Sequence, residues 1–244
     1  MRKAIITIGV ATSCALAAGA CSQNGGAQQA QRSPQQVVTS AYSHTTNAKT
    51  AKITLTTDAT IRGKTTHATG AGVIQFDPAT LDLTTHAAGQ STEVRVLGGI
   101  TYLRTGGGKW TKIDTSKLTG NSTMNSSPDQ MLSYLHGALD SVTSTGPATI
   151  NGAHTTGYKA TVDLDKVAAK QKTPQAKQAI HGVEKATGSK TLPVQVWIDN
   201  QGRIAREQNS STVTTQGHRI TTTITLDLTD YGTPVHVTAP HGII

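Results

Sequence analysis

From Ala51 almost to its end, the chain keeps returning to a two-residue alternation of apolar and polar side chains. In the first such stretch Ile53, Leu55, Thr57, Ala59 and Ile61 fall on one face, and Lys52, Thr54, Thr56, Asp58 and Arg62 on the other. That period marks a half-buried antiparallel strand, because successive side chains leave a pleated backbone on opposite sides. Similar segments at about 67–76, 80–87, 92–97, 100–105 and 109–113 are separated by Asp77-Pro78, Ala88-Gly89, Gly98-Gly99 and Gly106-Gly107-Gly108. These are hairpin residues, supplying the turn backbone that reverses a strand. Strands resume near 142–150, 154–163, 192–199, 203–215 and 218–229, so about eleven are expected. Threonine is abundant throughout, and its branched Cβ favours a pleated surface over a helix.

Three segments carry the other period. Ser33-Pro34-Gln35-Gln36 is a capping box with proline at the first helical position, and Val37, Val38, Ala41 and Tyr42 follow at helical spacing, predicting a helix over 34–46. Ser127-Pro128-Asp129-Gln130 repeats that chemistry ahead of Met131, Leu132, Leu135, Ala138 and Leu139, predicting a helix over 128–140. Residues 164–187 read as a helical segment split near Pro174 and closed by Gly188.

Aromatic residues make up only 3% of the chain, so the interior rests on Val, Ile, Leu and Ala. Every apolar strand face must be covered, yet three helical segments are too few to cover eleven strands as a flat layer. The expected fold is therefore α+β: an open antiparallel half-barrel sheet of about eleven strands wrapped over about three helices, concave and apolar inside. Ile53, Leu55, Ile74, Phe76, Leu81, Leu83, Val94, Val96 and Ile100 are the candidate lining. They form either an ordinary core or a surface for acyl chains, which need apolar walls and few polar groups. Periodicity leaves open whether the concavity is filled or hollow.

The N-terminus predicts where such a domain works. Arg2 and Lys3 precede an apolar run from Ala4 to Ala17, and Ala18-Gly19-Ala20 supplies small residues before Cys21. This is the pattern of a signal peptide over 1–20, with the run too short to span a bilayer. Cleavage there leaves Cys21 first, the position at which bacterial lipoproteins carry their acyl chains. Ala18-x-Ala20 also suits ordinary cleavage, which would leave Cys21 a bare thiol. Residues 21–32 are small and polar and read as a flexible tether, leaving 33–244 as one domain. Cys14 departs with the leader, so the mature chain has no intramolecular disulfide.

Export and composition narrow the chemistry. Loss of Arg2 and Lys3 lowers the net charge from +8 to +6, but the basic residues form no long run and no aromatics interleave them, so nucleic acid is not an expected partner. None of the nine histidines stands at H-x-x-x-H or H-E-x-x-H spacing, and no metal or cofactor is expected. Gly106-Gly107-Gly108-Lys109 lacks the earlier glycine and the following Ser or Thr of a phosphate loop, and reads as a hairpin. Neither G-x-S-x-G nor S-x-x-K with its β-lactamase companions is present. The alternation places titratable side chains on the outer strand faces, so no enzyme is expected.

The C-terminal third carries a family likeness. Leu192-Pro193-Val194-Gln195-Val196-Trp197-Ile198-Asp199-Asn200-Gln201-Gly202-Arg203-Ile204, with Asp230-Tyr231-Gly232-Thr233-Pro234-Val235-His236-Val237-Thr238-Ala239-Pro240, resembles the closing hairpin and tail of actinobacterial lipoproteins of the LppX/LprAFG type, within the LolA-like superfamily. The resemblance implies a half-barrel enclosing a hydrophobic cavity and a protein that binds acylated lipid or glycolipid in the cell envelope. It also implies lipidation at Cys21, anchorage at the extracytoplasmic face of the bacterial cell membrane, and an envelope transporter or signalling protein as partner. An envelope sensor or interaction lipoprotein of the same fold is the alternative role.

Overall fold

The computed structural model describes residues 32–114, 128–171, 174–215 and 217–243. Helix α1 (Pro34–Asn47) begins at the expected box: Ser33 Oγ accepts from Gln36 N at 3.2 Å, and the Gln36 side chain accepts from Ser33 N at 2.9 Å. Six strands follow, β1 (Thr50–Ile61), β2 (Lys64–Gln75), β3 (Thr80–Ala87), β4 (Gln90–Leu97), β5 (Ile100–Thr105) and β6 (Thr111–Asp114). After α2 (Pro128–Tyr134) come β7 (Leu139–Ile150) and β8 (Ala153–Asp163). The split helical segment is two helices, α3 (Leu164–Lys170) and α4 (Pro174–Thr187), and β9 (Thr191–Asp199), β10 (Ile204–Thr215) and β11 (His218–Thr229) complete the sheet.

The second helix is shorter than its periodicity implied. Met131, Leu132, Leu135, Ala138 and Leu139 are all buried as the pattern required, but the helix ends at Tyr134 and Leu139 already belongs to β7. Gly137 stops it, at a φ of 75° that a helix does not contain.

All eleven strands form one antiparallel sheet in the order β6-β5-β4-β3-β2-β1-β11-β10-β9-β8-β7. It consists of two meanders joined along β1 and β11, where Lys52–Ile61 pair with Ile220–Thr229. One face packs on the helices: Val38 and Ala41 of α1, Leu132 of α2, Val167 of α3 and Ile180 of α4 share a cluster with Ile53, Leu83, Val196 and Leu226. We call this the inner face.

The outer face is ordered by charge. Directly opposed residues form ion pairs across neighbouring strands: Asp82 with Arg95 at 3.1 Å, Glu93 with Arg104 at 2.6 Å and Asp227 with Arg206 at 2.5 Å. Such pairs favour one register over its one-residue slips. The tail after β11 crosses this face. It starts where Thr50 Oγ1 donates to Thr233 O at 2.6 Å, passes Arg95, whose guanidinium donates to Thr238 O at 3.3 Å, and ends at a bridge between Ile243 and Trp110. Arg95 and Arg104 stack at 5.1 and 4.7 Å from the centre of the buried Trp110 ring.

Candidate functional site

Register assigns the candidate lining residue by residue, because directly opposed residues in a sheet share a face. One row across the inner face runs Leu228, Ile53, Gly72, Leu83, Val94, Leu103, and the next Ala51, Ile74, Leu81, Val96, Thr101. Ile53, Ile74, Leu81 and Leu83 are buried in the helix-packed core, with Leu55, Phe76 and Val96 partly buried against it, while Val94 is half-buried on the same face.

Ile100 is a correction. It opposes Leu97, which opposes Thr80, which opposes Gln75 and then Thr50, so it lies on the outer face. The Gly98-Gly99 hairpin keeps Leu97 and Ile100 on the same side, opposite to Val94 and Val96. Both faces of this hairpin are therefore apolar, an arrangement that alternation alone does not anticipate.

Beyond the helices the inner face opens and becomes mixed, with Leu55, Ala59 and Ile224 beside Thr57, Thr222, Asn209 and Ser211. Leu55 and Ile224 are half-buried, and at the far end the row Val213, Ile220, Ile61 leaves Ile61 41% exposed. The floor of this trough holds a residue that alternation placed outside. Glu207 opposes Val196 and Leu226, both on the inner face, and has no solvent exposure. Neither carboxylate oxygen has a hydrogen-bond partner, and burial raises its pKa from 4.5 to about 8. The carboxyl is therefore neutral at pH 7.

A bulge turns Glu207 inward. The β9–β10 register shifts between Ile204 and Arg206, inserting Ala205, so that Arg206 faces outward to Asp227 and Glu207 faces the helices. The bulge is held on both sides: Ile204 N donates to Thr45 Oγ1 of α1 at 2.9 Å, and the Tyr231 hydroxyl donates to Ile204 O. Arg203 binds Asp199 through both its Nε (2.9 Å) and Nη2 (2.8 Å) and stacks 4.3 Å above the Tyr231 ring. Asp199, Arg203, Ile204 and Tyr231, all within the hairpin-and-tail likeness, thus build the device that inverts β10. The sequence signal for it was the consecutive apolar pair Ile204-Ala205, which breaks the alternation.

Two further features lie away from the trough. A depression of about 360 Å³ on the outer face is bordered by Thr143, Lys159, Gln195 and Gln208. Asp165, His181 and Glu184 bring one ligand atom each to within 4.8 Å of one another, a grouping hidden from spacing rules because Asp165 comes from α3 and the others from α4. The ammonium of Lys190 lies 2.9 Å from Asp165 and already counters its charge. Among the described residues no helix is long and apolar enough to cross a membrane. Cys21, the leader and the tether as far as residue 31 lie outside the described residues.

Lipoprotein LppX of Mycobacterium tuberculosis superposes with a TM-score of 0.54 over 82% of this chain and 98% of its own, at 16% identity, which establishes a shared fold. LprF of Mycobacterium bovis aligns over 85% and 96% of the two chains at 15% identity and a TM-score of 0.45. A LolA superfamily protein of Nitrosomonas europaea aligns over 81% and 94% at 7% identity and a TM-score of 0.30. No curated protein matches the chain. The sequence model of the LppX_LprAFG lipoproteins matches residues 33–237, from the cap of α1 into the tail, and the chain belongs to that family.

Proposed function

We propose that this protein is a lipid-anchored carrier: it holds the acyl chains of a lipid or glycolipid against its inner face and conveys them within the cell envelope. The observation that carries this reading is the recurrence of half-buried and exposed apolar side chains on the inner face past its helices, Leu55 and Ile224 and then Ile61, Ile220 and Val213, with Thr57, Thr222, Asn209 and Ser211 between them. Covering apolar surface of this kind stabilises a bound chain by about 0.8 kcal/mol per methylene. Binding is the whole task. The ligand moves unchanged, and no reacting group is required of the protein.

The test is organic extraction of the full-length protein, purified in mild detergent, with mass spectrometry of the extract. Co-purifying acylated lipid is expected. Leu55→Asp, on the inner face, is expected to weaken binding of a fluorescent acyl probe by at least about tenfold, since it sets a polar group against the chain. Thr69→Asp, exposed on the outer face, leaves binding unchanged. Absence of lipid together with equal affinities for the two variants rules the carrier out.

The anchor belongs to the same proposal. Acyl chains on Cys21 hold the domain at the extracytoplasmic face of the membrane, and the residues up to 32 tether it. Cys21→Ala is expected to move the protein from the membrane fraction to the soluble fraction. An unmodified Cys21 found in the membrane fraction of the wild type removes the lipid anchor from the account.

A further inference from the structure

Glu207 is costly where it stands. A buried donor or acceptor without a partner destabilises the fold, and in the row Tyr158, Val196, Glu207, Leu226, Leu55 its companions on the inner face are apolar or aromatic. Packing does not call for it, since a leucine there would match its neighbours. Nor does it stand alone. Along β10, Asn209 and Ser211 continue on the inner face, both half-buried, with Asn209 between Val194 and Ile224. One strand thus lays a polar track along the inner face, from a carboxyl fully buried among the helix-packed residues to the half-buried Asn209 and Ser211 toward the open end.

We propose that this track is a recognition site for an uncharged, hydroxyl-bearing acyl lipid, with the Glu207 carboxyl as its deepest contact. The inference rests on the carrier reading. A neutral carboxyl offers one O–H donor and a carbonyl acceptor, and both are unused here. A hydroxyl is the smallest group that satisfies both at once. A plain ester accepts only, and a quaternary ammonium neither donates nor accepts, so each leaves part of the carboxyl unpaired. An anionic head set this deep would lose its hydration with no cation on this row to replace it. Asn209 and Ser211 are equally able to donate and accept toward further hydroxyls nearer the mouth.

The charged and titratable surroundings are few. Tyr158 lies on the same row, α1, which packs on β10, brings Tyr42 and His44, and α4, which also packs on it, brings Lys177, His181, Glu184 and Lys185. Among the inner positions of β9 and β11 the one titratable residue is His218, at the far end of β11. Burial is the sole cause of the carboxyl's raised proton affinity.

The test compares 1-monooleoylglycerol with methyl oleate, the same acyl chain with and without hydroxyls, by displacement of a fluorescent fatty-acyl probe from the full-length protein. The wild type is expected to prefer monooleoylglycerol by about tenfold, the scale of one buried hydrogen bond. Glu207→Leu abolishes the preference while still binding methyl oleate, and Glu207→Gln, whose carboxamide also donates and accepts, keeps most of it. The wild type alone gives a second reading that needs no variant: the preference at about pH 6 grows at about pH 9.5, where a group titrating near 8 has become a carboxylate that accepts a charge-assisted hydrogen bond from the hydroxyl and has nothing to donate to the ester. Equal affinities in the wild type, an undiminished preference in Glu207→Leu, or a preference indifferent to pH overturns the proposal and leaves the carrier standing. Failure of both lipids to bind removes both.

Discussion

Glu207→Leu is expected to make the protein more stable, by about 2–4 kcal/mol at pH 7, and to flatten the dependence of its stability on pH. Two effects contribute in the same direction. The substitution removes two unpartnered oxygens from the apolar row between Val196 and Leu226, and it removes a proton uptake that folding otherwise requires. Folding raises the carboxyl's pKa from 4.5 to about 8, so between those values the folded state keeps a proton that the unfolded state has released. The wild type therefore loses stability as pH rises through that window, at most about 1.4 kcal/mol per unit, and the loss levels off above the folded value. Below the unfolded value both states are protonated and the carboxyl contributes no slope. Denaturant titrations of both proteins across this range check it: the difference between them grows with pH until about 8. Parallel pH profiles would mean that Glu207 has a partner, or water, in solution.

Gly72→Ala acts in the opposite direction and is expected to be the most damaging single methyl in the sheet. A Cβ at Gly72 would stand 2.0 Å from Asp82 O and 2.8 Å from Leu83 Cα, both backbone atoms that cannot swing aside. The only relief is to part β2 from β3, disrupting the row through Ile53, Leu83 and Val94 that forms the inner face. A loss of about 4 kcal/mol or more is expected, a large part of the 5–15 kcal/mol that holds a typical domain together. In a thermal melt that is a drop of roughly 10 °C or more. Gly70→Ala provides the internal comparison. Its Cβ would first meet Thr85 Cγ2 at 3.0 Å and Leu83 Cδ1 at 3.2 Å, side-chain atoms that can rotate, so a smaller shift is expected. A Gly72→Ala variant that melts with the wild type contradicts this packing. Two glycines on the inner side of β2 let β3 press close, and they are the local means by which the sheet bends around its helices.

Both predictions concern residues that the sequence left unmarked. Gly70 and Gly72 lie in a segment read only as a strand, and Glu207 is one of the titratable residues that alternation assigned together to the outer faces. Conversely, Ile100 looked like its apolar neighbours and lies on the other side of the sheet. The inner face legible in advance was the part where alternation runs unbroken: Ile53 and Leu55 in β1, Leu81 and Leu83 in β3, Val94 and Val96 in β4. Register places all of these on one face. The metal-like grouping of Asp165, His181 and Glu184 was invisible for a different reason, since it joins two helices whose packing no spacing rule encodes.

The sequence by itself determined the elements. Alternation, threonine and glycine hairpins located eleven strands to within a few residues, and the Ser33 box set the start of α1 at the residue where the structure begins it. These signals are local: a side chain's direction relative to its neighbour, or a cap's reach of three residues, depends on nothing distant. Only the tertiary structure decided which oily face is inside. That choice depends on the pairing of β1 with β11, on the bulge held by Thr45 and Tyr231, and on a tail that crosses the outer face by way of Arg95 and Trp110. A strand pattern has period two, so a single inserted residue exchanges its faces, and whether one is inserted is settled by contacts between residues far apart in the chain.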